Sequence, residues 1–203
     1  MSFADIAALS IHDVKNNLSQ LAGQAEARGD MATVGIALHA AETLTRLLVF
    51  YKSENGILDL VVDAHAPSDL LTELADTLNQ LDGITIETDV QAAPALWYYD
   101  QTLVQMLLAN ALYNARRFAH SRIVLSAREN GGFLELTVQD DGNGYPESVL
   151  ADNDDAAPVT QEGTGLGLRL ARRVARMHEN AGQCGDIKLC NGQGATFVLR
   201  LPC

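Results

Sequence analysis

Two apolar stripes open the chain. Ala7, Ile11, Val14, Leu18, Leu21 and Ala25 stand at intervals of 4, 3, 4, 3 and 4. Val34, Ala37, Ala41, Leu44, Leu48 and Tyr51 follow at 3, 4, 3, 4 and 3. A mean interval of 3.5 belongs to helices that pack along a seam. Between the stripes, Arg28-Gly29-Asp30 supplies a residue suited to a helix end and another suited to a cap. The pattern therefore predicts a helical hairpin. A hairpin this small buries too little apolar surface alone. Pairing with a second copy, as a four-helix bundle, is the expected remedy.

The period changes after Ser53-Glu54-Asn55-Gly56, which marks a boundary between residues 1–56 and 57–203. Ile57 to Val62 is β-prone, and Pro67-Ser68-Asp69 opens a helix expected to reach Leu81. Ile84 to Thr88 alternates as a strand does, and Asp100 is placed to cap a helix running to Phe118. Arg122 to Arg128 and Phe133 to Val138 read as a hairpin around Asn130-Gly131-Gly132. A loop from Asp140 to Glu162 precedes a helix ending near Asn180. Ile187 to Cys190 and Thr196 to Leu201 form a closing hairpin around Asn191-Gly192-Gln193-Gly194. Helices and strands in blocks predict an α+β fold, with helices on one face of a mixed sheet.

Composition narrows the partners. The 203 residues are 47% hydrophobic and 20% charged, with a formal charge of −12. Such an acidic chain is a poor match for nucleic acid or anionic lipid. No run of 18 apolar residues occurs, so no membrane span is expected. The first residues show no basic segment ahead of a long apolar one, so no secretory leader is expected either. Cys184, Cys190 and Cys203 lack the paired spacing of a zinc site, and Cys190 falls in an expected strand where buried thiols are common. A structural role for all three and a cytoplasmic location follow as expectations.

Candidate chemistry sits in four places. Gly163-Thr164-Gly165-Leu166-Gly167 runs straight into an apolar-periodic stretch. Glycines let backbone N–H groups approach an anion, and the helix start adds unpaired donors. Such a turn alone is common. Asn110 and Asn114 share one face of the Asp100–Phe118 helix, and Arg117 lies on roughly that side. They suit an exposed flank, or an amide oxygen offered to Mg2+ with a guanidinium for phosphate. Asp140, followed by Gly142 and Gly144, ends a strand. It suits a plain Asp-Gly turn, or an acceptor for the exocyclic amine of a base lying flat on glycine backbone. His12 stands beside the first stripe, with Asp13 next to it and Asn16 one turn on. It suits a solvated helix position, or an imidazole nucleophile near pH 7 whose far ring nitrogen Asp13 would orient.

The order of these pieces resembles a known family. Asn114, then Asp140-x-Gly142-x-Gly144, then Gly163-x-Gly165-x-Gly167 is similar to the N, G1 and G2 boxes of sensor histidine kinases and, more broadly, of the GHKL ATPases. Leu108-Ala-Asn110-Ala-Leu-Tyr-Asn114-Ala-Arg-Arg117 resembles the N box, and Gly194-Ala-Thr196-Phe197 resembles the late threonine element. Ile11-His12-Asp13-Val14-Lys15-Asn16-Asn17-Leu18 resembles the H box, although Glu more often follows that histidine. The hairpin distinguishes this branch from the chaperone, topoisomerase, mismatch-repair and anti-sigma members.

The resemblance implies a Bergerat-type ATP site with Asn114 on Mg2+ and Asn110 assisting. Asp140 would read adenine. The glycines of both boxes, with Thr164, Leu166, Arg117 and Thr196, would border the nucleotide. It also implies His12 as phosphoacceptor, Asn16 as a water-positioning residue, a homodimer, and a response regulator receiver domain as partner. One departure stands out. The segment matching the ATP lid has no Phe and instead holds Asp152, Asp154, Asp155 and Glu162. That leaves open a phosphotransferase or phosphatase scaffold with a weakened kinase-like domain, and a non-catalytic dimerisation module after it.

Overall fold

The computed structural model describes residues 3–79, 83–151 and 165–203. It divides into two compact units, Met1–Leu58 and Asp59–Cys203. The first is the expected hairpin of α1 (Phe3–Glu26) and α2 (Met31–Glu54). Gly29 takes φ 72°, a left-handed conformation that glycine adopts without a Cβ clash. The Asp30 carboxylate caps α2, accepting from the Thr33 N–H at 3.1 Å and its hydroxyl at 2.6 Å.

Ala22, Ala25, Val34 and Ala37 form the buried seam, with Leu18 against it. Val14 and Leu21, both on the expected α1 stripe, stay 45% and 41% exposed. Ile36, Leu38 and Leu47 add exposed apolar surface on α2. By length and composition α2 is apolar enough to cross a membrane, which corrects the expectation that no segment of the chain would qualify. It also carries His39, Glu42, Arg46 and Lys52, and its buried Val34 and Ala37 pack in the seam with α1. Packing against α1 buries only a small share of its apolar surface.

The second unit runs β1 (Asp63–His65), α3 (Pro67–Asn79), β2 (Thr85–Asp89), β3 (Trp97–Tyr99), α4 (Gln101–Phe118), β4 (Arg122–Asn130), β5 (Phe133–Asp140), α5 (Glu147–Leu150) and α6 (Leu166–Met177). It closes with β6 (Glu179–Asn180), β7 (Gln183–Cys184), β8 (Asp186–Asn191) and β9 (Ala195–Pro202). The main sheet is ordered β2-β4-β5-β9-β8. Only β2–β4 is parallel, so the sheet is mixed as expected. Alternation along the strands sends Ile123, Leu125, Leu134, Leu136, Val138, Phe197, Leu199 and Leu201 into the core. Leu70, Leu71, Leu107, Leu108, Leu112, Leu170 and Val174 bring α3, α4 and α6 onto that face.

Several local expectations fail for identifiable reasons. Ile57 to Val62 forms no strand. Pairing begins at Asp63 against β3, and Val61 and Val62 are exposed with no face to bury. The helix α6 stops at Met177 because the backbone of His178 turns extended. Short α5 interrupts the expected loop, and Leu81 lies outside the described residues. All three cysteines are exposed. Cys190 is on an edge strand, where a residue facing away from the helices has nothing above it.

A row of charge crosses the outer face of the sheet. Glu135 is 5% exposed and receives Arg128 at 2.7 Å, Asn130 at 3.1 Å and Arg200 at 3.2 Å. Arg200 also reaches Asp186 at 2.9 Å and lies 4.2 Å over the Phe133 ring. Burial pushes the Glu135 carboxyl up, but the Arg128 and Asn130 hydrogen bonds and the two guanidinium charges outweigh it and hold it below its usual value. A depressed carboxyl stabilises the fold above the unfolded-state value near pH 4.5 and loses that contribution as pH falls through the folded one. Glu135→Gln should therefore cost about 2 kcal/mol at pH 7. Urea unfolding at stepped pH should find the gap between the two proteins closing below pH 4.5; a constant gap would contradict the assignment.

Candidate functional site

Helix α4 ties the candidate residues together. Asp100 caps it, with one carboxylate oxygen accepting from the Leu103 N–H and the other from the Val61 N–H, both at 2.9 Å. The Asp100 N–H donates to His178 Nε2 at 3.1 Å, while His178 Nδ1–H donates to the Val174 carbonyl at 2.9 Å. This tautomer locks the start of α4 to the end of α6. Burial is the main cause holding the imidazole below its usual pKa, against a smaller upward pull from the Val174 bond and Asp100. It stays neutral and keeps its acceptor.

Asn110, Asn114 and Phe118 recur every four residues along one face of α4. A Cβ on Gly167 would lie 2.4 Å from the Asn110 amide nitrogen. A Cβ on Gly142 would lie 2.2 Å from the Phe118 carbonyl oxygen. The face therefore runs from one glycine turn to the other. Asn114 is exposed between them, about 6 Å along the axis from each neighbour. Arg117 is exposed too, its guanidinium 5.3 Å over the Phe118 ring. Asp141 anchors the far end of α4. Its carboxylate accepts from the His120 N–H at 2.8 Å and the Ser121 hydroxyl at 2.6 Å. Those bonds, the Ser121 hydroxyl foremost, hold its carboxyl far below its usual value.

Asp140 closes the site from the sheet and is only 6% exposed. Its Oδ1 accepts from the Gly142 N–H at 2.8 Å and the Ala195 N–H at 3.1 Å. Its Oδ2 has no hydrogen bond among the described residues and remains an open acceptor. Gly194 packs so close to Asp140 that a Cβ would come within 2.1 Å of its carbonyl oxygen. Gly144 takes φ 81°, and a Cβ there would lie 2.8 Å from the Asn191 side chain. Gly142, Gly144 and Gly167 thus stand where neighbouring protein atoms leave no space for a side chain. Burial, then the Asp140 charge, raises the Tyr145 phenol above its usual range.

Thr196 is a correction. Its Cα pairs with Gln139, one residue off Asp140, so alternation turns it to the opposite face of the sheet. Ala195, through its N–H, is what meets Asp140. Gly165 caps α6 at φ 65°, and Leu166 is the first helical residue. Gly163, Thr164 and the acidic cluster Asp152, Asp154, Asp155 and Glu162 lie outside the described residues.

His12 is exposed on α1. The residue that meets its ring is Asn16, whose amide nitrogen stands 3.2 Å from Nδ1. Asp13, expected to orient the ring, makes no hydrogen bond to it among the described residues. Successive helix positions point about 100° apart, whereas i and i+4 lie one above the other.

Asn191, Ala195 and His178 meet Tyr145, Asp140 and Asp100 through contacts that the sequence does not announce. Asn191 looked like a turn residue, and backbone donors leave no mark in a sequence.

The chain is similar to known proteins in sequence and in fold. A family model described as histidine kinase-, DNA gyrase B- and HSP90-like ATPase matches residues 99–203. The signal transduction histidine-protein kinase AfsQ2 of Streptomyces coelicolor is 27% identical over 95% of this chain and 38% of its own length. The sensor histidine kinase YkoH of Bacillus subtilis is 29% identical over 81% of this chain and 37% of its own. The chain thus spans about two fifths of these relatives. Full-length ShkA in complex with AMPPNP superposes with a TM-score of 0.75 at 22% identity, over 99% of this chain and 46% of that one. The histidine kinase AdeS of Acinetobacter baumannii gives 0.61 at 20% identity, over 93% and 94%.

Proposed function

Because the chain belongs to the histidine kinase-, DNA gyrase B- and HSP90-like ATPase family, we propose that it is the core of an ATP-dependent protein histidine kinase. Residues 59–203 bind ATP, and His12 receives the γ-phosphoryl group. The observation that carries this reading is the α4 face, which holds Asn110 against Gly167, Asn114 in the open and Phe118 against Gly142. One helix thereby spans a base-reading turn and a phosphate-facing helix start, as a nucleotide requires.

Asp140 Oδ2 accepts from the exocyclic amine of adenine. The start of α6 offers unpaired N–H groups to phosphate. The amide oxygen of Asn114, with Asn110 beside it, suits Mg2+, a hard cation that would neutralise phosphate charge. Arg117 supplies a phosphate-binding guanidinium.

At His12, a carboxamide presents a donor or an acceptor. With the Asn16 oxygen turned to the ring it accepts the Nδ1 proton and leaves the Nε2 lone pair free. That lone pair attacks the γ-phosphorus as the bond to the bridging oxygen breaks. ADP leaves, and the ring sheds its Nδ1 proton to water. The phosphoryl group then passes to an Asp of a receiver domain. ATP supply places the reaction in the cytoplasm.

Incubation with γ-labelled ATP and Mg2+ tests the proposal. Label that is acid-labile and base-stable is expected, and its absence would overturn the kinase reading. A second reading keeps His12 and Asn16 as a phosphotransferase or phosphatase pair. The acidic stretch ahead of Gly163 favours it, since carboxylates repel triphosphate. Label accepted from a phosphorylated regulator but not from ATP would select that reading.

The exposed stripe of α1 also fits a bundle of two hairpins. Leu21→Glu should place a charge in that seam and shift light scattering from dimer to monomer at micromolar concentration. An unchanged mass would remove Leu21 from the interface.

A further inference from the structure

We propose that Asn191 is a positioning residue of the base site, a side chain that holds the segment following Asp140 in register. The proposal rests on the nucleotide reading of that site. Asn191 ends β8, and its carboxamide lies along the peptide of Tyr145. Its oxygen accepts from the Tyr145 N–H at 2.8 Å, and its Nδ2 donates to the Tyr145 carbonyl at 2.9 Å. That is the two-bond exchange of a hydrogen-bonded pair in an antiparallel ladder, made here by a side chain. The approach needs a residue without Cβ beside it, and Gly144 provides one at φ 81°.

The consequence is a double pin. Segment 140–145 and hairpin 191–195 are joined at one end by the Ala195 N–H on Asp140 Oδ1, at 3.1 Å. Asn191 joins them at the other. The turn between Asn191 and Ala195 is itself closed by the Gly192 N–H on the Gly194 carbonyl, at 3.0 Å. Asp140 Oδ2 therefore reads a base from a frame held on both sides. Removing Asn191 keeps the Asp140 bonds but releases the Gly142–Tyr145 segment. The loss should appear as weaker and less selective binding of a base with an exocyclic amine.

Asn191→Ala and Asn191→Asp test this in the full chain. The second keeps one acceptor but sets an oxygen against the Tyr145 carbonyl, so it also breaks the exchange while preserving size. Both should keep a cooperative thermal transition and speed hydrogen exchange at the Tyr145 amide. Both should weaken ATP binding about tenfold and narrow the preference for ATP over ITP. Wild-type ATP affinity and selectivity in a folded variant would overturn the positioning role, even with faster exchange, because the bond would then be structural only. If one variant fails to fold, the other decides. Failure of the wild-type chain to bind ATP would instead sink the nucleotide reading and this proposal with it, and the wild-type measurement tells the two failures apart.

Discussion

Asp140→Asn should reverse the base preference of the site, weakening ATP by about 100-fold or more and favouring ITP over ATP. The reason lies in the division of labour between the two carboxylate oxygens. Oδ1 is committed to the Gly142 and Ala195 N–H groups, and Oδ2 is not. An asparagine oxygen keeps both backbone bonds in the Oδ1 position, so the turn survives. Its NH2 then replaces the open acceptor and meets the amine of adenine donor to donor. Hypoxanthine carries a carbonyl at that position and becomes the better partner. Asp140→Ala is the harsher change, because it also strands two backbone donors at a cost of roughly 1–3 kcal/mol each. Competition binding with ATP and ITP on both variants separates base reading from collapse of the turn. Equal ATP affinity in wild type and Asp140→Asn would remove Asp140 from the adenine role.

His12→Ala should abolish acid-labile labelling altogether while leaving ATP binding near the wild-type value. The two effects separate because the hairpin and residues 59–203 are distinct compact units. Asn16→Ala should be milder, lowering the labelling rate about tenfold, since it removes the group on Nδ1 but not the nucleophile. Mixing His12→Ala with Asp140→Asn chains then asks whether transfer crosses between copies. Label on the Asp140→Asn chain means the nucleotide was held by its partner. Undiminished acid-labile label in His12→Ala alone would dismiss His12 as the acceptor.

Much of the geometry at these residues was legible beforehand because it depends on local constraints. Gly142, Gly144 and Gly167 stand where backbone or side chains leave no room for a Cβ, and a glycine reports that pressure directly. The cap at Asp100 and the four-residue recurrence of Asn110 and Asn114 follow from helix geometry alone. The failures were of two kinds. Thr196 was assigned from the resemblance of its motif, but a one-residue offset in a strand reverses the face. Asp13 was paired with His12 for adjacency, although a helix brings i+4 into reach instead.

The sequence by itself determined the helical hairpin, the α+β second unit, the exposed histidine and the two glycine turns. Periodicity, capping and the lack of a Cβ are properties of a residue and its near neighbours, so they can be read along the chain. Tertiary structure alone decided which distant groups meet at Asp140, Tyr145 and Asp100. The Ala195 N–H on Asp140 spans 55 residues, the Asn191 clasp on Tyr145 spans 46 and the His178 bond to Asp100 spans 78. Each depends on which strands and helices become neighbours. That is set by burying Leu134, Leu136 and Leu199 beneath α4 and α6, and no local pattern encodes the match between one backbone donor and one distant acceptor.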